Sequence, residues 1–247
     1  MLFPVLDRLP VDLAGLGPDW EELWDALLDI PLLEEAPWTL VGGQMVTLHG
    51  LERGRDSLRV TDDFDLLVNA RVQTSPIRTL VSRLEDAGYS VDGMSPDRLA
   101  HRYRRGQMSI DVLAPEGLSD RTDVTTTPPG RTLQVPGGTQ ALRRTELVPV
   151  VTTTRSGLIP RPNLLGAIIG KCCAVRVDDL PEAQKSDVAF LLSLLERPRE
   201  MAGELDKKDR QRLSAVDELR DRDHPAWERL EPEHADAGRA ALNLLLA

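Results

Sequence analysis

Asp63 and Asp65 stand two residues apart at the head of an apolar run, Leu66-Leu67-Val68. On an extended strand that spacing sends both carboxylates out of one face. Two like charges side by side repel unless a cation lies between them, and a divalent metal with oxygen ligands is the natural one. Such a pair would hold one or two Mg²⁺ ions that bridge nucleotide phosphates, orient an attacking hydroxyl and balance charge on the α-phosphate and the departing pyrophosphate. A lone Asp-x-Asp is more often an exposed pair at a strand end. Gly42-Gly43 upstream and a third strand carboxylate, Asp111, downstream give this one its weight.

Gly42-Gly43 lies about twenty residues earlier, between a short apolar run and a helical stretch. Glycines there let a phosphate approach the backbone, and the following helix offers its N-terminal amides to an anion. The plainer reading is a tight turn from strand to helix. Asp111 alternates with the apolar Met108, Ile110 and Val112, so it is expected on the opposite face of a half-exposed strand. Placed beside Asp63 and Asp65, it would be a third metal ligand or would take the proton of the nucleophile. Arg59 and Thr61 share the face of Asp63 by even spacing and are candidates to contact phosphate or to counter the acids.

Lys171 interrupts an apolar helix that runs from Leu164 to Val175. Burying its charge without a partner would be costly. A triphosphate or the carboxylate cluster would supply one; a lysine snorkelling from the helix edge is the competing explanation. Arg176 is a candidate of the same kind. Lys185 and Asp187 open the next helix, ahead of the core run Val188 to Leu195, where Asp187 is at least a partner for the helix dipole. Cys172 and Cys173 read as packing residues, with no histidine near them in sequence. His49 closes the helix after the glycines, with a structural or a substrate-positioning role open to it.

The elements that must position these residues follow from periodicity. Pro18 to Glu35 is expected as an amphipathic helix with Trp20, Leu23, Trp24, Leu27 and Leu28 on one stripe. Trp38 to Val41 reads as a strand, Gln44 to Leu51 as a helix, Leu58 to Asn69 as a strand. Val72 to Ala87 reads as a helix burying Ile77, Leu80, Val81 and Leu84. Arg98 to Arg104 and Gln107 to Leu113 form a hairpin around Arg105-Gly106. A turn-rich loop, Pro115 to Gly130, precedes short strands at Leu133 to Val135 and Leu147 to Thr153. Helices follow at about 163–177, 181–196, 207–220 and 232–246. The expected fold class is α+β: a mixed sheet flanked by helices over 1–160, then a helical domain over 161–247, with the boundary near Pro160 to Pro162.

A chain of 247 residues has ample length for a core, and 41% hydrophobic with 28% charged residues is ordinary for a globular protein. No apolar run reaches the roughly 20 residues that span a bilayer, and Asp7 interrupts the start where a signal peptide would be apolar. Two adjacent cysteines build no disulfide framework, so a cytoplasmic setting is expected. No zinc-type spacing of Cys and His occurs. The net charge of −10 is uneven. Residues 1–40 hold nine acidic against one basic residue and 177–247 hold 17 against 11, whereas 41–176 hold 18 basic against 14 acidic. The segment with Asp63 and Asp65 is therefore the basic one, which suits a polyphosphate ligand.

Taken in order, Gly42-Gly43 with Leu48-His49-Gly50, Arg59-x-Thr61-x-Asp63-x-Asp65, Ile110-Asp111-Val112-Leu113-Ala114-Pro115, Ala167-x3-Lys171-x2-Ala174 and Lys185-x-Asp187 resemble the AbiEii/MenT-type nucleotidyltransferases of the DNA polymerase β-like superfamily. The resemblance covers roughly residues 38–195. It implies a mixed α/β core with a helical C-terminal part that contributes active-site residues. It also implies Mg²⁺-dependent transfer of a nucleotide from an NTP to an acceptor. On the matching positions Asp63 and Asp65 would be metal ligands, Lys171 would bind phosphate and Asp187 would be catalytic or structural in the site. Arg176 and Lys185 fall beside these as candidate nucleotide contacts. Several members are toxins of toxin–antitoxin pairs and some modify tRNA 3′ ends, so tRNA and a cognate antitoxin are the implied partners. One departure is plain: Gly-Ser is usual after the first strand, and here Gly43 is followed by Gln44, which removes a hydroxyl contact to phosphate.

Two further readings stand beside this one. The acidic total argues against a broad grip on nucleic acid, which normally needs basic surface, and so favours a small-molecule acceptor, as in antibiotic-modifying relatives. A nucleotide-binding module that keeps the fold without turnover is the third.

Overall fold

The first of two units of the chain, Met1–Gln44 with Thr61–Pro162, is built on two sheets. A computed structural model describes residues 3–14, 17–56, 63–72 and 74–247. In chain order the unit's elements are β1 (Val11–Asp12), α1 (Pro18–Leu28), β2 (Trp38–Val41), the start of α2 (Gly42–Leu51), β3 (Asp63–Val68), α3 (Pro76–Asp86), β4 (Ser90–Val91), β5 (Arg102–Arg105), β6 (Met108–Pro115), β7 (Leu133–Val135), α4 (Gly138–Arg143), β8 (Thr145–Val151) and β9 (Ser156–Pro162). The larger sheet runs β2-β3-β6-β5-β4, with β7 beside the end of β6. Its centre, β3 against β6, is parallel, while β2 and β5 lie antiparallel on either side. The smaller sheet is β1-β8-β9, a β8–β9 hairpin with β1 parallel to β8.

Side-chain alternation divides the larger sheet into two unlike faces. One is apolar: Phe64, Leu66, Val68, Tyr103, Ile110, Val112 and Ala114 are fully buried. Helix α3 packs against β6 with Ile77, Leu80, Val81 and Leu84, an i, i+3, i+4, i+7 stripe. Burying each such aliphatic chain stabilises the fold by about 2 kcal/mol. Trp24 of α1 meets Phe64 edge-on, with ring centroids 5.4 Å apart. On the other face Leu67 and Leu113 cluster with Ala141 and Leu142 of α4. Further along that face, toward the start of β3, the apolar residues give way to acids.

Helix α1 ends at Leu28, short of the expected Glu35. Ile30 precedes Pro31, and a residue before proline is pushed out of the helical region while the proline lacks an N–H. Strand β6 departs from the expected half-exposure: Ser109 to Pro115 are all buried. It is a central strand with β3 on one side and β5 on the other, and it is covered on both faces. β9 and α4 lie where no element was expected. The described part of the expected strand 58–69 is Asp63–Val68.

The second unit, Met45–Val60 with Asn163–Ala247, is helical in all its named elements. After the rest of α2 it contains α5 (Leu164–Ala174), α6 (Pro181–Ser193), α7 (Pro198–Gly203), α8 (Lys207–Leu213) and α9 (Pro232–Leu246), with 3₁₀ turns at Ser214–Arg220 and Pro225–Trp227. The Asn163 side chain caps α5 by accepting from the Gly166 amide, and Asp206 with Asp209 forms a capping box on α8. α6 packs against α5 and α9. Gly50 sits so close to Phe190 that a Cβ there would lie 2.9 Å from the ring, and Arg55 donates to the Ser193 hydroxyl at 3.0 Å. Among the described residues no helix is long and apolar enough to cross a membrane.

Candidate active site

The polar face of the larger sheet carries a row of register partners across four strands: Val41 on β2, Asp65 on β3, Asp111 on β6 and Arg102 on β5. The next row pairs Asp63 with Ser109, and Ser109 with Arg104. Register partners on adjacent strands project to the same side, so three carboxylates share this face. Asp63 and Asp65 are half-buried, and Asp111 is 6% exposed.

Arg102 organises the cluster. Its Nε donates to Asp111 Oδ1 and its Nη2 to Asp111 Oδ2, both at 2.7 Å. Nη2 also lies 3.9 Å from Asp63 Oδ2. The paired, charge-assisted geometry fixes the Asp111 carboxylate in plane and position. The hydrogen bonding to Asp111 raises the guanidinium above its ordinary pKa against the cost of burial, and the charges of Asp111, Asp63 and Asp65 add to the rise.

Gly42 lies against Asp65. Its φ is +69°, and a Cβ built on it would stand 1.7 Å from Asp65 Oδ2. Only glycine gives both that backbone and that approach. Because α2 begins at Gly42, its N-terminus faces the Asp65 carboxylate, and its first turn has no acidic residue of its own. Gly43 follows in the same turn.

Ser109 is 7% exposed, and its Oγ has no hydrogen-bond partner among the described residues. It is flanked by Asp63 on β3 and by Arg104 on β5, whose guanidinium is turned to Asp92 at 3.0 Å. A buried hydroxyl without a partner costs free energy, and Thr39 and Thr126 are in the same state among the described residues.

Oxygen donors alone on one face are the chemistry of a hard cation. Among the described residues, however, no group of three or more carboxylate, histidine or cysteine side chains is placed to hold a metal ion. Both oxygens of Asp111 are engaged by Arg102. Of the other two carboxylates on this face, Asp63 lies 3.9 Å from Arg102 Nη2 and Asp65 lies against Gly42.

In the second unit α5 and α6 bring Lys171 and Asp187 together. Lys171 Nζ lies 2.8 Å from Asp187 Oδ2 and donates to Gln184 Oε1 at 2.9 Å, and Gln184 in turn donates to Asp178. Lys171 is 5% and Asp187 3% exposed, so the partner this lysine requires is a carboxylate within its own unit. Lys185 and Arg176 do not join that pair. Lys185 bridges Glu182 and Glu218, and Arg176 donates to the Gln211 carbonyl. Cys172 and Cys173 are buried and free, and burial pushes the Cys172 thiol well above its ordinary range, so it is no nucleophile. Arg59 and Thr61 lie outside the described residues.

Arg102 and Ser109 were not among the residues singled out in the sequence. A signal for Arg102 existed: a hairpin that turns at Gly106-Gln107 pairs Arg105 with Met108 and so sets Arg102 opposite Asp111. Ser109 gives no signal until burial is known. Comparisons with protein-family models, with curated proteins and with solved structures each find no match.

Proposed function

We propose that this chain is a Mg²⁺-dependent nucleotidyltransferase of the AbiEii/MenT type, with the sheet and helices described above as its nucleotidyltransferase core and C-terminal helical bundle, moving an NMP from an NTP to an acceptor. The observation that carries the reading is the shared face of Asp63, Asp65 and Asp111, with the N-terminus of α2 at Gly42 beside it. Asp63 and Asp65 would hold the ion. Bound Mg²⁺ supplies Lewis-acid charge to the phosphate oxygens and the leaving pyrophosphate.

The chain's own residues do the rest. Gly42 lets the Asp65 carboxylate sit against the first turn of α2, and Gly43 follows in that turn, whose N-terminal amides favour negative charge. Asp111, held in position by Arg102, accepts the proton of the attacking hydroxyl. Lys171 and Asp187, paired with each other in the second unit, are candidates for phosphate-binding and supporting roles on the resemblance alone. Arg59, Thr61, Arg176 and Lys185 remain candidate nucleotide contacts on resemblance or spacing alone.

The acceptor proposed first is tRNA, in a cytoplasmic toxin held by a cognate antitoxin. The net charge of −10 favours a second reading in which the acceptor is a small hydroxyl compound such as an aminoglycoside. Incubation with each α-labelled NTP, Mg²⁺ and either total tRNA or an aminoglycoside panel separates them. Label on tRNA supports the first reading and label on the aminoglycoside the second. Label on neither, with NTP still bound, leaves a binding module and sinks the transferase.

A further inference from the structure

We propose that the segment between β6 and β7, residues 116–132, builds a binding site for phosphate groups from residues other than those of the carboxylate face. The proposal does not depend on the nucleotidyltransferase reading.

The segment contains no named helix or strand. It exceeds the about 12–15 residues beyond which such a connection in a folded domain is usually functional or a disordered linker. It is no loose linker. The Thr132 hydroxyl bonds the Val112 carbonyl, the Thr127 hydroxyl donates to Glu85, and Arg78 donates to the Thr126 carbonyl. The segment lines two cavities, of about 550 and 540 Å³, that share Thr122 and Asp123. Arg98 and Arg131 line the first, Arg71 and Arg121 the second.

None of these four guanidinium groups is paired with an acid among the described residues. Arg98 and Arg121 are exposed and have no side-chain partner there. Arg131 donates to the Asp97 carbonyl at 3.3 Å and Arg71 to the Glu116 carbonyl at 2.7 Å. A bond to a carbonyl leaves the charge whole, and each guanidinium has five N–H donors to offer. Arg102 and Arg104, by contrast, are spent on Asp111, Asp63 and Asp92. Part of the basic excess of residues 41–176 is thus free at this loop. Two acids share the lining. Asp123 accepts from the Ser75 hydroxyl and the Thr125 amide, and Asp97 is exposed. Four guanidinium groups against two carboxylates leave the lining positive. Of the acids next to it in sequence, Glu116 accepts from the Thr139 amide and Asp120 is exposed.

The backbone supports the placement. Ser75 and Arg98 are the non-glycine residues with positive φ among the described ones, at +59° and +61°, and each lines one cavity. Such a backbone is costly for a residue with a side chain and gathers at binding sites. The Arg131 amide donates to the Arg98 carbonyl at 2.8 Å, which sets the two arginines side by side. Arginines with free planar edges take phosphate through paired, charge-assisted N–H bonds. The ligand is accordingly a phosphate-bearing one, either a compact polyphosphate or a nucleic-acid backbone.

The test is arginine footprinting of the full chain. Phenylglyoxal modifies accessible guanidinium groups, and peptide mass spectrometry reads the rate at each, with and without pyrophosphate or a short single-stranded RNA oligonucleotide. Arg98, Arg121 and Arg131 should react severalfold more slowly with at least one ligand. Arg222 of the second unit, whose side chain is 79% exposed, should keep its rate. Protection by pyrophosphate assigns the site to compact phosphate compounds, and protection by the oligonucleotide alone assigns it to a nucleic-acid backbone. Arg98→Gly suits the left-handed backbone and so keeps the fold; in it the protection of Arg131 should fall severalfold. Unchanged rates at the three arginines with both ligands, equal slowing at Arg222, or full protection of Arg131 in Arg98→Gly overturns the proposal. The transfer of α-label at the carboxylate face is decided separately from all of these.

Discussion

Asp65 on β3 and Asp111 on β6 are direct register partners on parallel neighbouring strands, and Asp111 is gripped from its other side by Arg102 on β5. The two acids are thus adjacent although separated by much of the first unit's sequence. A parallel pair cannot be closed by a tight turn, so the chain between them is spent on α3, β4 and β5, the last of which brings Arg102. One crossover therefore supplies the second acid and the cation that balances it.

The close approach of Gly42 to Asp65 predicts a specific cost. Gly42→Ala forces a left-handed backbone on a residue with a Cβ and drives that Cβ into the carboxylate. Destabilisation on the order of 2–3 kcal/mol is expected by urea unfolding. Gly106→Ala is the control: its φ is +60°, yet no atom lies within 4 Å of its Cβ position. It should lose only the backbone share, about 1 kcal/mol. Equal losses would mean that the carboxylate moves aside freely.

The buried pair in the second unit predicts non-additivity. Lys171→Met leaves Asp187 charged and buried without its ammonium, at a cost of about 3–5 kcal/mol. Asp187→Leu should cost a similar amount. The double variant replaces both with apolar chains and should cost clearly less than the two losses together in a denaturant double-mutant cycle. Strict additivity would show that the two charges do not depend on each other.

Two carboxyls of the first unit set an acid limit. Burial pushes Asp25 up, but hydrogen bonds from Thr154 and Thr152 and the charge of Arg155 outweigh it and hold the group below its ordinary value of 3.8. Asp123 is held below the same value chiefly by the Ser75 hydroxyl and by Thr125, against some burial. A carboxyl with a depressed native pKa stabilises the fold fully above its unfolded value, and that contribution disappears as pH falls through the native one. Stability should therefore be level in this respect above about pH 5 and fall below about pH 4. Asp25→Asn should flatten the acid limb of a melting-temperature profile. An unchanged acid limb in both Asp25→Asn and Asp123→Asn would rule these groups out.

What was legible in the sequence was whatever local pattern decides. The stripe Ile77, Leu80, Val81, Leu84 gives α3, the glycines end β2 at Val41, and Asp63 and Asp65 share a face because strands have a period of two. What was not legible depends on partners distant in sequence. Pro160 and Pro162 mark the break between the two units, but that Ser156–Pro162 is a strand right up to it was not legible, because it depends on pairing with β8 along its whole length. Asp111 looks half-exposed because alternation cannot tell an edge strand from a central one. Lys171 announced that it needed a partner, but that the partner is Asp187 depends on how α5 packs against α6.

The central claim is that this carboxylate face transfers a nucleotide and not a phosphate. The direct measurement supplies the chain with the same NTP labelled at either the α- or the γ-phosphate, together with Mg²⁺ and total tRNA or an aminoglycoside panel. Label should reach an acceptor from the α position only, the γ label should leave as pyrophosphate, and a folded Asp65→Asn should transfer neither. Transfer of the γ label, transfer of the α label to no acceptor, or equal transfer by Asp65→Asn would contradict the account.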